Sequence, residues 1–322
     1  MKQFNHIVYV LNDDTTETSS SFLRAVSLAK GNQADLTLLR IIPNIPSVLP
    51  SAILGMNTDN LESKVIAKEK EKLQTFVASV DSELNINTQV AFGKKYIEVI
   101  HNVQQNNYDL VIKEVDHIDW LDRLFGSEDM HLLRKCPCPV WLMKGNEKPD
   151  YQTIMVAIDF DDDLGTSQDG SLEELNNTLL ELSLSLSLSD FTTLHIVNTY
   201  HSPQAGFISL WADEPDKVEQ QLLKAEYKKR QEKMNALLEN LKHKVGADAF
   251  NYLSPRTHIV QGPASRELPK LATTLEADLV VMGTVARTGI SGVLIGNTAE
   301  NVLSQLKCSV LAVKPKNFTS PV

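Results

Sequence analysis

The residues of this chain best suited to chemistry lie in a glycine-rich segment, GTVARTGISGVLIGNTAEN, at positions 283–301. Gly283 and Gly296 have no Cβ, so each permits a positive φ or a close approach of the backbone to a ligand. Asn297 or Thr298 is placed to cap a helix that begins there. Because unpaired N–H groups at a helix start attract anions, the segment predicts a phosphate-binding loop.

Two further residues favour a ligand site at this place. Arg287 would add positive charge to the loop, and Asp159 ends a predicted strand of the same half of the chain. In an open sheet of parallel strands, ligands bind at the carboxyl ends of the strands, where both features would lie. An ordinary strand-to-helix loop punctuated by glycine remains an alternative interpretation of the segment.

Catalytic and metal-binding patterns are hard to find. There is no Gly-Lys-Ser/Thr loop and no nucleophile elbow, and the acidic run 161–163 is more typical of solvated charge than of a magnesium site. Three cysteines without a Cys-x-x-Cys pair predict no metal; Cys136, Cys138 and Cys308 are expected to act as small apolar residues. We therefore expect a protein that is not an enzyme, with a slow ATP hydrolase as the competing hypothesis.

Composition excludes several classes of protein. The 322 residues are 42% hydrophobic and 22% charged, as in ordinary globular proteins, and suggest two domains. A net charge of -10 would repel a phosphate backbone and an anionic bilayer, which argues against nucleic-acid and membrane partners. No apolar stretch has the length of a signal-peptide core or a membrane span, so a cytoplasmic location is expected.

The chain contains an internal repeat. YDLVIK at 108–113 matches ADLVVM at 277–282, and Cys138-Pro-Val matches Cys308-Ser-Val at an offset of 170. Matched blocks occur in the same order in both halves. The predicted domains are residues 1–147 and 148–322, joined at the polar stretch GNEKPD.

Each repeat alternates short β-branched runs with longer helical segments. Such runs, apolar on both faces and separated by helices, predict a doubly wound α/β fold with a five-stranded parallel sheet in each repeat. The predicted strands are His6–Leu11, Leu36–Ile42, Ile86–Phe92, Leu110–Lys113, Val140–Met143, Ile154–Asp159, Thr192–Thr199, Thr257–Gln261, Leu279–Gly283 and Val310–Lys314.

One segment carries two conflicting signals. Residues 182–188 read LSLSLSL, and this period of two is typical of a strand. The matching place in the first repeat, FLRAVSLAK, has a helical pattern. Since parallel pairing needs a crossover at this point, we predict a helix.

The stretch ADLVVMGTVARTGISGVLIGNTAENVLSQLKCSVLAVKP resembles the C-terminal signature of the universal stress protein family, with Ala286 where the second glycine of that signature belongs and Asn297 where Ser or Thr is usual. The resemblance extends over nearly the whole chain and identifies it as a tandem member. It implies a stress-response protein that binds ATP or another adenine nucleotide. On this pattern Asp159 contacts the ribose or base, Ile196 contacts adenine through its backbone, and the phosphates are surrounded by Gly283, Gly296, Asn297 and Thr298.

The first repeat departs further from that signature. Asn12 replaces the acid at the strand end, and Glu114 and His117 stand where glycines would be. The carboxylates of Glu114, Asp116 and Asp119 would repel phosphates. Nucleotide binding is therefore predicted in the second repeat alone.

Two predictions concern other partners. The apolar loops 41–56 and 199–211 are expected to line cavities, which suggests a carrier or sensor of an apolar metabolite as an alternative function. The fifth strands, 140–143 and 310–314, lie at sheet edges and are expected to pair. That pairing would make the two repeats an intramolecular pseudo-dimer, and a homodimer is a further alternative.

Overall fold

The computed structural model describes residues 4–12, 18–46, 58–80, 84–115, 128–144, 148, 150–160, 171–201, 203–284 and 295–322. The chain divides into two compact units. Unit 1 comprises Met1–Pro149, Ile290–Ile295 and Ser309–Val322, and unit 2 comprises Asp150–Gly289 and Gly296–Cys308. The C-terminal segment of the chain therefore belongs to unit 1, although in sequence it is the last part of the second repeat.

The first repeat alternates strands and helices in the order that the sequence predicts. Its elements are β1 His6–Val10, α1 Ser20–Asn32, β2 Asp35–Ile42, α2 Thr58–Ala78, β3 Ile86–Phe92, α3 Lys95–Asn106, β4 Leu110–Glu114, α4 Glu128–Lys135 and β5 Val140–Met143.

The second repeat follows the same order with additional helices. Its elements are β6 Thr153–Ile158, α5 Ser171–Asp190, β7 Thr193–Tyr200, α6 Pro203–Ser209, α7 Pro215–Val245, α8 Ala247–Leu253, β8 Arg256–Gln261, α9 Ala264–Thr274, β9 Leu279–Gly283, α10 Asn297–Leu303 and β10 Ser309–Val313. Each of the ten predicted strands is confirmed to within one residue.

The sheet of unit 1 is mixed. Strands β3-β2-β1-β4-β5 are parallel neighbours in that order, and β10 runs antiparallel to β5. Val310 pairs with Leu142, and Ala312 pairs with Val140. The pairing of the two fifth strands is thus confirmed. Because both strands are buried and apolar, each covers an edge of the other that would otherwise offer unpaired backbone groups.

In unit 2 the strands β9-β6-β7-β8 are parallel neighbours. The prediction that residues 182–188 are helical is confirmed, because they lie inside α5. Leu182, Leu184 and Leu186 are buried, and so are the serines between them. The hydroxyl of Ser183 donates to the carbonyl of Leu179 at 2.7 Å, so small polar residues are tolerated inside a helix that is covered nearly all round.

Candidate functional site

The strand registers show which residues of the two repeats are equivalent. Ile7 of β1 pairs with Leu36 and Leu110, as Ile154 of β6 pairs with Leu194 and Leu279. Counting along the strands from these pairs gives three equivalent positions at the carboxyl ends of the sheets. They are Asn12 and Asp159, Arg40 and Asn198, and Glu114 and Gly283.

Asp159 is held at the end of β6 by an amide side chain of α5. Its N–H donates to Asn176 Oδ1 at 3.1 Å, and Asn176 Nδ2 donates back to the Asp159 carbonyl at 2.7 Å. Asn176 is buried, whereas Asp159 is half-buried. This two-way contact fixes the backbone of Asp159, so the carboxylate extends from a rigid position at the sheet edge.

Asn198, which the sequence analysis does not single out, lies fully buried near the end of β7. Its Nδ2 donates to the Ile158 carbonyl at 3.0 Å, one residue before Asp159. In the part of the chain that the structure describes, Asn198 Oδ1 has no hydrogen-bond partner, which makes it a buried acceptor beside the strand ends. An amide in the otherwise apolar run LHIVNTY was the available signal.

Gly283 ends β9, the neighbour of β6, so it lies at the same sheet edge as Asp159. A Cβ at this position would meet Leu175 Cδ2 of α5 at 2.8 Å. The close approach that the glycine permits therefore includes packing of the helix against the strand end. Because Gly283 has no Cβ, the end of β9 also carries no side chain.

Gly296 closes the loop that follows, because its N–H donates to the Thr284 carbonyl at 3.0 Å. The prediction that Asn297 or Thr298 caps the helix is wrong: Gly296 is the N-cap residue, and no side chain caps α10. Asn297 already has helical geometry, and the first helical bond runs from Glu300 N–H to the Gly296 carbonyl. As a result, the N–H groups of the first turn have no intrahelical acceptor, and Asn297 and Thr298 are exposed.

Of the other predicted site residues, the structure describes Ile196. Ile196 is fully buried in the middle of β7, between Val156 and Thr257, and its contact with a base stays a prediction. Arg287 and the acidic run 161–163 lie outside the described residues, as does Ala286.

At the same edge of unit 1, the chain's own polar groups occupy the strand ends. The Ser21 hydroxyl donates to the Glu114 carboxylate and lies 3.0 Å from the Tyr9 hydroxyl, whose pKa is raised by burial. Asn12 Nδ2 donates to the Glu114 carbonyl at 3.1 Å, and the Arg40 guanidinium donates to the Asn12 carbonyl. Where unit 2 has a bare glycine, unit 1 has a hydrogen-bonded carboxylate.

Comparison with known proteins agrees with this repeated architecture. The model of the Universal stress protein family matches residues 3–144 and 150–314. The chain belongs to this family. It is 28% identical over 324 residues to "Universal stress protein E homolog" of Haemophilus influenzae, covering 97% of this chain and 98% of that one.

Two other relatives match most of the chain. "Universal stress protein E" of Escherichia coli K12 is 32% identical over 252 residues, which are 76% of this chain and 72% of the relative. The crystal structure of a functionally unknown protein from Pseudomonas aeruginosa PAO1 has a TM-score of 0.67 and 25% identity, covering 98% of this chain and 94% of that one. The tandem universal stress protein fold is therefore shown along the whole chain.

Both repeats of this universal stress protein contain a second glycine feature that the sequence analysis missed. Gly93 and Gly262 follow β3 and β8 with φ of +146° and +140°. A Cβ there would lie 2.5 Å from Glu98 Cγ or 2.6 Å from Glu267 Cγ. The shared spacing, a glycine with a glutamate five residues later, was visible in the sequence. Since both repeats have it, the feature supports the fold and does not distinguish the sites.

His195 is a buried residue of β7, and it contacts a second histidine. Its Nδ1 lies 2.8 Å from His258 Nε2 of β8, and the two rings stack. Burial lowers the pKa of His195 to about 4, and the charges of His258 and Arg256 act in the same direction. Among the described residues, no group of three or more His, Cys, Asp or Glu is placed to hold a metal ion.

The expectation that residues 199–211 line an apolar cavity is wrong for the four large apolar side chains at the end of this segment. Phe207, Ile208, Leu210 and Trp211 are exposed, Trp211 by 82%. Short α6 and the turn after it leave them on the surface of unit 2. Most of the corresponding loop of unit 1, from residue 47 onward, lies outside the described residues. No helix in the described ranges has the length and apolar character needed to cross a bilayer.

Proposed function

We propose that this tandem universal stress protein binds one adenine nucleotide per chain, in its second repeat, and acts as a non-enzymatic stress-response protein of the cytoplasm. The observation that carries the proposal is the register equivalence of Gly283 and Glu114. At this position of the sheet edge, unit 2 has no side chain, whereas unit 1 places a carboxylate.

The surroundings of Gly283 suit the parts of a nucleotide. The exposed first turn of α10 offers N–H donors to phosphate oxygens. The Asp159 carboxylate accepts hydrogen bonds from hydroxyl groups, as a ribose presents them. Arg287 would add a cation to the loop. Phosphates and ribose would then be bound at adjacent strand ends, as in other doubly wound folds.

The Glu114 carboxylate disfavours a phosphate at the end of β4, although the Arg40 guanidinium lies at the same sheet edge. Two negative charges about 4 Å apart repel by about 1 to 4 kcal/mol, depending on their exposure to water. Glu114 is half-buried and already accepts a hydrogen bond from Ser21, so its carboxylate cannot turn away without breaking that bond. A phosphate at the end of β4 would meet this repulsion, whereas Gly283 carries no charge at the equivalent end of β9.

The side chains around the site favour binding over catalysis. Asn176 and Asn198 hold the strand ends, and an amide does not exchange a proton at neutral pH. Asp159 is the single described carboxylate among the predicted contact residues. A hydrolase would require a positioned base and a metal-held phosphate. A net charge of -10 supports a small-molecule ligand over nucleic acid.

Titration calorimetry with ATP tests the proposal. We expect one site per chain, and we expect Asp159→Ala to weaken binding by about tenfold through loss of a charged hydrogen-bond acceptor. The matched control is Asn12→Ala at the equivalent position of unit 1, which should leave affinity unchanged. Two equivalent sites, or equal effects of the two substitutions, would contradict the proposal. Magnesium-dependent release of phosphate from ATP would instead support the hydrolase.

A further inference from the structure

Two of the three cysteines are in contact. Cys136 Sγ and Cys138 Sγ lie 3.6 Å apart, on either side of Pro137, in the bend between α4 and β5. Cys136 is fully buried, whereas Cys138 is half-buried. Neither is in a disulfide. Packing alone, the role predicted from the sequence, does not require two sulfur atoms to face each other.

The geometry of the pair is suited to bond formation. Sulfur atoms in a disulfide are about 2.0 Å apart, so side-chain rotation has to close the gap from 3.6 Å. The intervening bend already turns both side chains toward each other. The fold therefore holds the two thiols as neighbours before any oxidation takes place.

A buried cation lies beside the pair. Lys314 Nζ donates to the Leu133 carbonyl at 2.6 Å, in the last turn of α4, and interacts electrostatically with Cys136. Burial lowers the pKa of Lys314 to about 8, and negative charge on Cys136 would oppose that shift. The hydrogen bond to Cys136 and burial raise the pKa of the Cys138 thiol.

We propose that Cys136 and Cys138 are a redox-active dithiol that forms a reversible intramolecular disulfide by exchange with a low-molecular-weight disulfide such as oxidised glutathione. Cys138, the half-buried member, reacts first because Cys136 is fully buried, and the raised pKa of Cys138 makes this step slow at neutral pH. Lys314 stabilises negative charge at Cys136, the resolving member.

The exchange balances in two steps. The Cys138 thiol loses its proton, its sulfur attacks one sulfur of glutathione disulfide, and the first glutathione leaves as a thiolate that takes up a proton. Cys136 then attacks Cys138 Sγ in this mixed disulfide and expels the second glutathione, to which the Cys136 proton passes. Two protein thiols are oxidised to one disulfide, and one glutathione disulfide is reduced to two thiols.

The second repeat provides an internal control. Cys308 stands two residues before Val310, as Cys138 stands two residues before Val140, but Leu306 takes the place of Cys136. Cys308 therefore has no resolving thiol at the equivalent position. It should form a mixed disulfide with glutathione at most.

The test is to incubate the full-length protein with glutathione disulfide, block remaining thiols with N-ethylmaleimide in denaturant, and measure the intact mass. We expect Cys308→Ser to fall from two maleimide labels to none without bound glutathione. The wild type should fall from three labels to one, or to none with one glutathione on Cys308. Cys138→Ser should keep both of its labels or carry glutathione on Cys308 alone. Cys136→Ser should retain glutathione on Cys138, because no resolving thiol remains.

Since Cys136 is buried, Cys136→Ala and Cys136→Ser are both compared with wild type by circular dichroism. If both variants unfold, the Cys308→Ser protein decides the question alone through its label count. Retention of two labels, stable glutathione on Cys138 in that protein, or a disulfide between chains would overturn the proposal. Peptide mapping that places the new bond between Cys136 and Cys138 would support it.

Discussion

The carboxyl ends of the two sheets differ although their backbones follow the same register. Unit 1 fills the edge with Asn12, Arg40 and Glu114, which bond to one another and to Ser21. Unit 2 leaves Gly283 bare and keeps Asn198 Oδ1 without a partner among the described residues. After duplication, one copy can satisfy its strand ends internally while the other keeps them available for a ligand. The fold alone therefore does not define a site.

The largest expected effect concerns whether the first repeat is stable without the last strand of the chain. A fragment of residues 1–147 lacks β10, so the apolar strand β5 would present an open edge. We expect this fragment to associate or precipitate, whereas the full chain does not use that edge for association. Size-exclusion chromatography with light scattering measures the difference.

A peptide covering residues 307–318 should reduce the association of the fragment, and a scrambled peptide should not. A monomeric, stable fragment 1–147 that has no affinity for the peptide would refute the role of β10 as a cover. The prediction that the repeats form a pseudo-dimer would then lose its physical basis.

The second largest expected effect tests the difference between Gly283 of unit 2 and Glu114 of unit 1. Gly283→Glu gives unit 2 the residue of unit 1 and should weaken ATP binding by about 100-fold, equivalent to about 2.7 kcal/mol, through repulsion and loss of space. Because a Cβ at this site also presses on Leu175, Gly283→Ala separates packing from charge and should weaken binding less.

The matched control for this substitution is Glu114→Gly in unit 1. It should leave the affinity of the site in unit 2 unchanged. Equal affinity for wild type and Gly283→Glu, measured by calorimetry on folded protein, would show that the end of β9 is not part of the ligand site.

The third effect comes from His195 and His258, whose register equivalents in unit 1 are Thr37 and Gln89. The pKa of His195 is about 4 in the folded protein, below its usual value of 6.5. Between these two pH values the unfolded chain binds a proton at His195 and the folded chain does not. Stability is therefore present above pH 6.5 and is lost as the pH falls toward 4. From pH 7 to pH 5 the loss from this group is on the order of 2 kcal/mol.

Urea unfolding at pH 7 and pH 5 measures this dependence. His195→Thr, which introduces the residue of unit 1, should flatten it, and His243→Thr on the exposed face of α7 should not. A wild type and a His195→Thr variant that lose equal stability on acidification would contradict the assignment.

The sequence predicted the elements well because their signals are local. Apolar β-branched runs of strand length identified all ten strands, and the repeat predicted the tandem fold. The segment LSLSLSL would have failed on periodicity alone, since tertiary burial in α5 overrides its period of two. Comparison with the matching place in the first repeat supplied the correct interpretation.

The candidate site was predicted less completely. Asp159 and Gly283 were identified from their places at strand ends, but the cap of α10 was assigned one residue too late. Capping depends on where φ and ψ first become helical, and Gly296 takes that position once its N–H bonds to Thr284. Asn198 was missed because its role depends on a hydrogen bond to the carbonyl of Ile158, which lies forty residues away in the sequence.

The sequence by itself determined the repeat, the order of strands and helices, and the loss of the glycine signature in the first half. Each of these depends on the types and spacing of residues that are close together in the sequence. Tertiary structure alone decided that β10 runs antiparallel to β5, that Asn198 bonds to the Ile158 carbonyl, and that Cys136 faces Cys138. These are contacts whose geometry depends on the path of the backbone between them. Register and burial fix that path, and spacing along the chain does not.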